Sequence, residues 1–171
     1  MVNLPADLYS VVVYPLIYIF PAYAANALPV LFSGGGPLDR KRKLWGKRVL
    51  GEHKTVYGTL SAAIGGVLVG LVYTQFGALG YMLPIAIMLT LGAISGDLLG
   101  SFIKRQLGLK SGSSVFLLDQ YGFYVLALAF AFRLGSMPGL YGMAFITLLT
   151  GVLHIATNRA AYMLRLKKVP W

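Results

Sequence analysis

Two stretches of this chain carry no charged side chain: 25 residues from Leu8 to Phe32 and 42 from Thr55 to Gly96. A bilayer core needs about 20 apolar residues per helix, so the first stretch reads as one membrane span and the second as two. Gln75-Phe76-Gly77-Ala78-Leu79-Gly80 supplies the turn inside the pair. A fourth span is predicted from about Val115 to Phe132 and a fifth from about Gly139 to Tyr162, with Gly135-Ser136-Met137-Pro138 turning between them. The composition agrees, with 57% hydrophobic residues, only 12% charged and a mean hydropathy of +0.72. Soluble domains carry about 25% charged residues, so a soluble or disordered chain is excluded. The expected fold is an all-α integral membrane protein, one domain over residues 1–171 built as a bundle of five transmembrane helices. Cytoplasmic loops are expected at about 33–55 and 104–115.

The few charges are lopsided: 15 Lys and Arg against 5 Asp and Glu, a net +10. Fourteen of the fifteen basic residues fall on one side of the predicted bundle, in the loop after the first span, the loop after the third and the C-terminal tail. Only Arg133 lies opposite. Basic loops stay in the cytoplasm, so the N-terminus is expected outside and the C-terminus inside. For Arg40 to Lys43, topology and contact with anionic lipid weigh as much as ligand binding. No basic residue precedes Arg40, so no cleavable signal peptide is expected, and with no cysteine there is no thiolate site.

Small residues recur every four positions at Gly58, Ala62, Gly66 and Gly70, and again at Gly92, Gly96 and Gly100. This spacing lets helix backbones approach closely, within one bundle or between copies, so a homo-oligomer stays open. Pro15, Pro21 and Pro29 interrupt the first helix and Pro84 the third, where kinks are expected with neighbours taking up the freed carbonyls. Thr150, His154 and Asn158 share a face of the fifth helix and read as interhelical hydrogen bonding. The tyrosines and the two tryptophans read as interface anchors.

Among the five acids, Asp7 near the outer end of the first helix and Glu52, in a basic loop where a solvated ion pair is the default, are given no role. Asp97 and Asp119 are set into apolar sequence near helix ends. An acid at membrane depth is a functional candidate, and the competing reading is an ion pair from Asp97 to Lys104 or Arg105. Asp97 and Lys104 are seven residues apart, about two turns, so that pair shares a face but stretches the lysine. Two acids joined by a short basic loop can instead hold a divalent cation. With no His or Cys nearby the oxygen-only set favours Mg²⁺, which takes one or two carboxylates plus substrate phosphates. Gly34-Gly35-Gly36 can turn freely and offer N–H groups to an anion. His53-Lys54-Thr55 is not a P-loop, because that motif needs glycine directly before its lysine.

Ser101-Phe102-Ile103-Lys104-Arg105, then Lys110, then Leu118-Asp119-Gln120 resemble the signature of CTP-dependent cytidylyltransferases that activate membrane lipid phosphates. Pro21-Ala22-Tyr23-Ala24-Ala25-Asn26, Gly35-Gly36-Pro37-Leu38-Asp39 and His53-Lys54-Thr55 with Gly58 are similar to the archaeal branch, the CDP-archaeol synthases. The resemblance covers the chain from about Pro21. It departs at Ser111 and Gly122, where the wider family often carries acids. The resemblance implies transfer of a cytidylyl group from CTP to an unsaturated isoprenoid ether-lipid phosphate, releasing pyrophosphate, at the cytoplasmic face of the cell membrane. It implies Asp97 and Asp119 as holders of Mg²⁺ and, with Lys104, as the catalytic set. Arg105 and Lys110 would join Lys104 on the triphosphate, Lys54 and Thr55 would complete the cradle, and Asn26, Gly35 and Asp39 are further candidates for nucleotide contacts. A bacterial-type phosphatidate cytidylyltransferase shares this chemistry. A small anion transporter and a non-catalytic assembly subunit are the readings from other classes.

Overall fold

Each charge-free stretch winds into helix. The computed structural model describes residues 6–166 of the chain; Lys167, Lys168 and Trp171, expected in the basic tail and at the interface, lie outside the described residues. The first helix, α1, runs Ala6–Val30, with a π segment at Tyr9–Val13, an α-helical body at Tyr14–Ala27 and a closing 3₁₀ turn at Leu28–Val30. Then follow α2 (Val56–Thr74), α3 (Met82–Gln106), α4 (Phe116–Ala131) and α5 (Leu140–Met163). The five candidate spans are long and apolar enough to cross a membrane, as the charge-free runs require. This is a multi-pass membrane protein.

α2 illustrates how such a helix packs without a polar face. Gly58, Ala62, Gly66 and Gly70 are buried, while Leu60, Ile64, Leu68 and Leu71 are exposed on the outside, where lipid replaces water. A Cβ on Gly66 would fall 2.1 Å from Thr90 Oγ1 of α3, so only glycine permits that approach. α3 and α4 come closer still. At Gly92 a Cβ would meet Leu126 O at 2.4 Å, and at Gly96 it would meet Gly122 O at 2.3 Å, so backbone touches backbone along this crossing. Tyr18, Ile19, Met82, Leu89, Ala127 and Ile146 fill the core that α1, α3, α4 and α5 share.

The prolines behave differently from one another. Pro21 lies inside α1 and cannot bond the carbonyl of Ile17, four residues back. Tyr73 of α2 donates its hydroxyl to that carbonyl at 2.8 Å, the cross-helix compensation a membrane demands. Pro29 coincides with the closing 3₁₀ turn, and Pro15 is the second residue after the π segment. Pro84, in contrast, causes no break. α3 begins at Met82, so Pro84 occupies its first turn, where an N–H has no intrahelical partner to lose.

Between α1 and α2 the loop folds into structure of its own. A hairpin pairs β1 (Lys43–Leu44) with β2 (Lys47–Arg48) through a Trp45-Gly46 turn, both residues at positive φ (49° and 76°). That is the two-residue geometry that follows strand twist. Lys47 donates to the Gln106 carbonyl at 2.5 Å and Gln106 donates back to the Arg48 carbonyl at 3.3 Å, so this loop is fastened to the end of α3.

Candidate active site

Where α3 leaves the bundle, its glycines set its acid against α4. Gly96 faces Gly122 and Phe123, and a Cβ on Gly100 would lie 3.6 Å from Leu118 O. Asp97 sits between those two glycines, and Asp119 sits between Leu118 and Gly122 on the facing helix. The crossing therefore brings both sequence-predicted acids to one end of one helix pair.

Each acid holds a lysine. The Lys54 ammonium, arriving from the end of the α1–α2 loop, bonds both oxygens of Asp97 at 2.6 Å. Lys104 bonds Asp119 Oδ1 at 2.5 Å and the Ser113 carbonyl at 3.2 Å. Asp119 Oδ2 accepts the Val115 N–H at 2.8 Å, bracing the start of α4. The ion pair weighed for Asp97 within its own helix is thus not the one that forms. Lys104 is two turns away on α3 and turns instead to the acid that the crossing delivers, while Asp97 takes a lysine 43 residues distant. Neither acid is sealed: their side chains are 41% and 25% exposed, for Asp97 and Asp119 respectively.

Arg105 points the other way in character. It is 93% buried by its 7% exposure, and its Nε has no hydrogen-bond partner. It lies near enough to Asp119 to interact with that charge. It also lines a cleft of about 320 Å³ between the two loops, with Lys47, Arg48, Gly51, Glu52 and Ser111. A largely buried guanidinium that lines an open cleft is suited to receive an anion.

Asp39 is placed as a loop organiser. Its carboxylate accepts five hydrogen bonds: the backbone N–H groups of Lys41, Leu50 and Gly51, and Nε and Nη2 of Arg48. Its side chain is 1% exposed. The Arg48 guanidinium, with the three N–H donors, holds this carboxyl well below the usual carboxylate range against the opposing effect of burial. Asp39 in return raises the Arg48 pKa. The preceding residue, Leu38, donates its N–H to the Lys54 carbonyl at 2.7 Å, so the Asp39 hub sits one residue from a backbone bond that positions Lys54.

Thr55 and the triglycine segment also turn inward. Thr55 caps α2, its hydroxyl accepting from Gly58 N at 3.1 Å and Gly34 N at 3.3 Å. The carbonyls of Gly36 and Gly34 accept from Val56 and Tyr57, both at 3.1 Å. The segment therefore gives two carbonyls to the helix start. At Gly35 the φ of +72° and the Tyr57 ring, 2.9 Å from where a Cβ would stand, both require glycine. Asn26 is half-buried near the end of α1 and Lys110 is exposed in the second loop; neither enters the two ion pairs. On α5, Thr150 and Tyr23 of α1 share a hydrogen bond at 2.7 Å, as an interhelical reading of that face requires.

Sequence reasoning gave Arg48 and Gln106 no role. Arg48 was hidden inside a run of basic residues, and Gln106 acts through a bond to a loop 58 residues away. The Trp45-Gly46 pair was the one local signal that this loop is folded.

Comparison with known proteins identifies the arrangement. The family model described as CarS-like, CDP-archaeol synthase, matches residues 8–171. The chain belongs to the CDP-archaeol synthase family. The CDP-archaeol synthase of Thermococcus gammatolerans is 43% identical over 163 residues, covering 91% of this chain and 94% of that protein. That of Pyrococcus horikoshii is 40% identical over 161 residues, covering 90% and 94%. A solved structure of an intramembrane enzyme for archaeal membrane lipids biosynthesis superposes with a TM-score of 0.77 at 35% identity, covering 84% of this chain and 91% of that one. Within this CDP-archaeol synthase framework Gly122 lies against Gly96, where the wider family's additional acid is often found. Among the described residues no group of three His, Cys, Asp or Glu that could hold a metal ion is gathered.

Proposed function

We propose that this protein transfers the cytidylyl group of CTP to 2,3-bis-O-(geranylgeranyl)-sn-glycerol 1-phosphate, giving unsaturated CDP-archaeol and pyrophosphate, from the cytoplasmic face of the membrane. The observation that carries this reading is the pair of half-exposed acids at the α3–α4 crossing, each closed on a lysine from a loop-bearing helix end. The basic loops gathered at that end support the cytoplasmic orientation. So does the chemistry, because CTP is a cytoplasmic solute and the lipid tails are confined to the bilayer.

The donor set fits Mg²⁺: oxygen only, two carboxylates, and places where a cation already sits as an ammonium. Asp97 and Asp119 would hold it. The ion, when bound, neutralises charge on the phosphates and raises the reactivity of the phosphorus between them. In the reaction an oxygen of the lipid phosphate attacks the α-phosphorus of CTP. The bond from that phosphorus to the bridging oxygen breaks, and pyrophosphate leaves with the electron pair. No covalent intermediate with the protein is needed, and Ser101 has no positioned base that would make it a nucleophile.

The protein's work is to position and to neutralise. Lys54 and Lys104 move from carboxylates to phosphates as the nucleotide enters, each exchanging one anion for another. Arg105 supplies positive charge from the wall of the inter-loop cleft, and Lys110 reaches in from the second loop. Asp39 acts at a distance: through Arg48 and the 50–51 backbone it holds the loop that carries Lys54. Thr55, Gly35 and Asn26 shape the approach. The bacterial-type substrate, with ester-linked acyl tails, meets the same site, and the choice between tails belongs to the membrane-buried part of the lipid.

The test is direct. Purified full-length protein is incubated with CTP, Mg²⁺ and the geranylgeranylated glycerol phosphate, and CDP-lipid and pyrophosphate are measured. Equimolar, Mg²⁺-dependent formation of both is expected; their absence in folded protein refutes the assignment.

A further inference from the structure

The loop-bearing end of the molecule has an apolar surface that the site does not use. Trp45, at the hairpin turn, is 81% exposed, and Leu44, Leu107 and Leu109 are exposed as well. They come from both loops, and the structure joins the loops at that place. Lys47 and Arg48 are bonded to Gln106, and a Cβ on Gly108 would stand 3.8 Å from the Lys47 ammonium. Around these apolar residues are Arg40, Lys41, Lys43 and Lys110, all exposed.

The height of this surface is fixed by its attachment. Gln106 is the last residue of α3, whose 25 residues at about 1.5 Å each exceed a hydrocarbon core of about 30 Å, so its carbonyl stands beyond the hydrocarbon at the headgroup side. Each hairpin strand is two residues long, about 7 Å at about 3.4 Å per residue, so the tip stays close to that level. The headgroup layers add roughly 5 to 8 Å to each side of a bilayer core. An indole at this depth, with leucines beside it and cationic side chains around it, has the composition of an interface anchor. The loop is also built to keep its charges outward. Asp39 accepts the Lys41 N–H at 3.0 Å, and Arg40 and Lys41 are held at φ of 47° and 62°, a region side-chain-bearing residues seldom adopt.

We propose that the hairpin tip and the α3–α4 loop together dock on the anionic headgroup layer of the bilayer this protein spans, with Trp45 and Leu44 entering between headgroups and Arg40, Lys41 and Lys43 meeting lipid phosphates. Charge selects this occupant: Arg40, Lys41, Lys43, Lys47 and Lys110 far outweigh Glu52, the acid in the cleft beside Leu109, and a strongly positive surface opposes a second copy of itself. Docking would clamp the α1–α2 loop at two points, the end of α3 and the membrane, and so restrain the segment that carries Arg48 and Lys54.

Fluorescence of Trp45 tests this independently of any catalytic reading. A Trp171→Phe background leaves Trp45 as the sole tryptophan, and the full chain is reconstituted into phosphatidylglycerol vesicles with or without bromine on the upper acyl chain. The expected result is blue-shifted emission, strong quenching by brominated lipid and weak quenching by aqueous acrylamide. Replacing Arg40, Lys41 and Lys43 by Gln is expected to shift the docking equilibrium by on the order of a hundredfold, read as lost bromine quenching. Should that variant fail to fold, the same loss is expected for the Trp171→Phe protein as salt rises to 1 M, where the screening length falls to about 3 Å. Acrylamide-sensitive emission that ignores the brominated lipid would place Trp45 in water and overturn the proposal. Blue-shifted emission that ignores it would mean a protein covers the patch, and would overturn it equally.

Discussion

The α1–α2 loop and the α3–α4 crossing each hold carboxylates in ion pairs of similar length, and they use them in opposite ways. In the loop, Asp39 is sealed and fully occupied, with five donors converging on two oxygens. At the crossing, Asp97 and Asp119 are partly open and each is closed mainly by a flexible lysine. A lysine can leave for a phosphate at little cost, whereas three backbone N–H groups cannot. The loop acid thus fixes structure and the crossing acids remain available for chemistry. An ion pair's distance alone does not distinguish these; the number and kind of donors does.

Substitutions at the crossing should separate function from stability most sharply. Asp97→Asn or Asp119→Asn is expected to lower turnover by about a hundred- to a thousandfold, in line with losing a charge-stabilising group. Thermal unfolding in detergent should change little. Near-normal turnover in both variants would erase the contrast drawn here. The loop acid should respond in reverse. Asp39→Asn leaves Arg48 without its carboxylate and is expected to cost about 3 kcal/mol of local loop stability, seen as faster amide exchange at Leu50 and Gly51 and a raised KM for CTP. Its pH dependence has a definite sign. Because the folded pKa lies below the ordinary value near 3.9, the stabilisation is complete above that value and is lost as pH falls through the folded one. Amide exchange at Leu50 and Gly51, corrected for its intrinsic pH dependence, should therefore be flat from pH 7 to about 4, and open below it only while Asp39 is present.

Two smaller effects probe the crossing itself. Gly96→Ala places a methyl 2.3 Å from Gly122 O, with backbone rather than a movable side chain in its way. An overpacking loss of about 2 kcal/mol is expected, measured as a lower unfolding midpoint, with turnover falling because Asp97 shifts with it. Lys54→Met removes the cation that occupies Asp97. Mn²⁺ binding without nucleotide, followed by electron paramagnetic resonance, should tighten by about fivefold, the worth of one partly exposed ion pair near 1 kcal/mol. Unchanged Mn²⁺ affinity would mean that Lys54 does not guard the acid.

Much of the fold was readable because the membrane penalises ambiguity. A run of 42 residues without charge admits few architectures, and the glycine spacing named the faces that pack. Asp97 and Asp119 stood out for the same reason, as charges where charges are costly. What could not be read was pairing over distance. Nothing local to Asp97 indicates Lys54, and nothing in Gly-Gly-Pro-Leu-Asp says that the acid faces inward to collect N–H groups. Pro84 shows the limit of residue-type rules, since the same residue breaks a helix or opens one according to a start point set by the preceding turn.

The main-chain contact at Gly92 and Gly96 has a consequence for how such a sequence can drift. Where Gly92 and Gly96 meet α4 there is no side chain to repack, so the spacing of the two acids is set mainly by two backbones and little by the choice of rotamers around them. The lipid-facing leucines and isoleucines of α2 can be exchanged for one another without transmitting any displacement inward. One protein therefore holds two rates of permissible change: a slack outer coat matched to whatever lipids surround it, and an inner seam where a single added carbon alters the gauge of the active site.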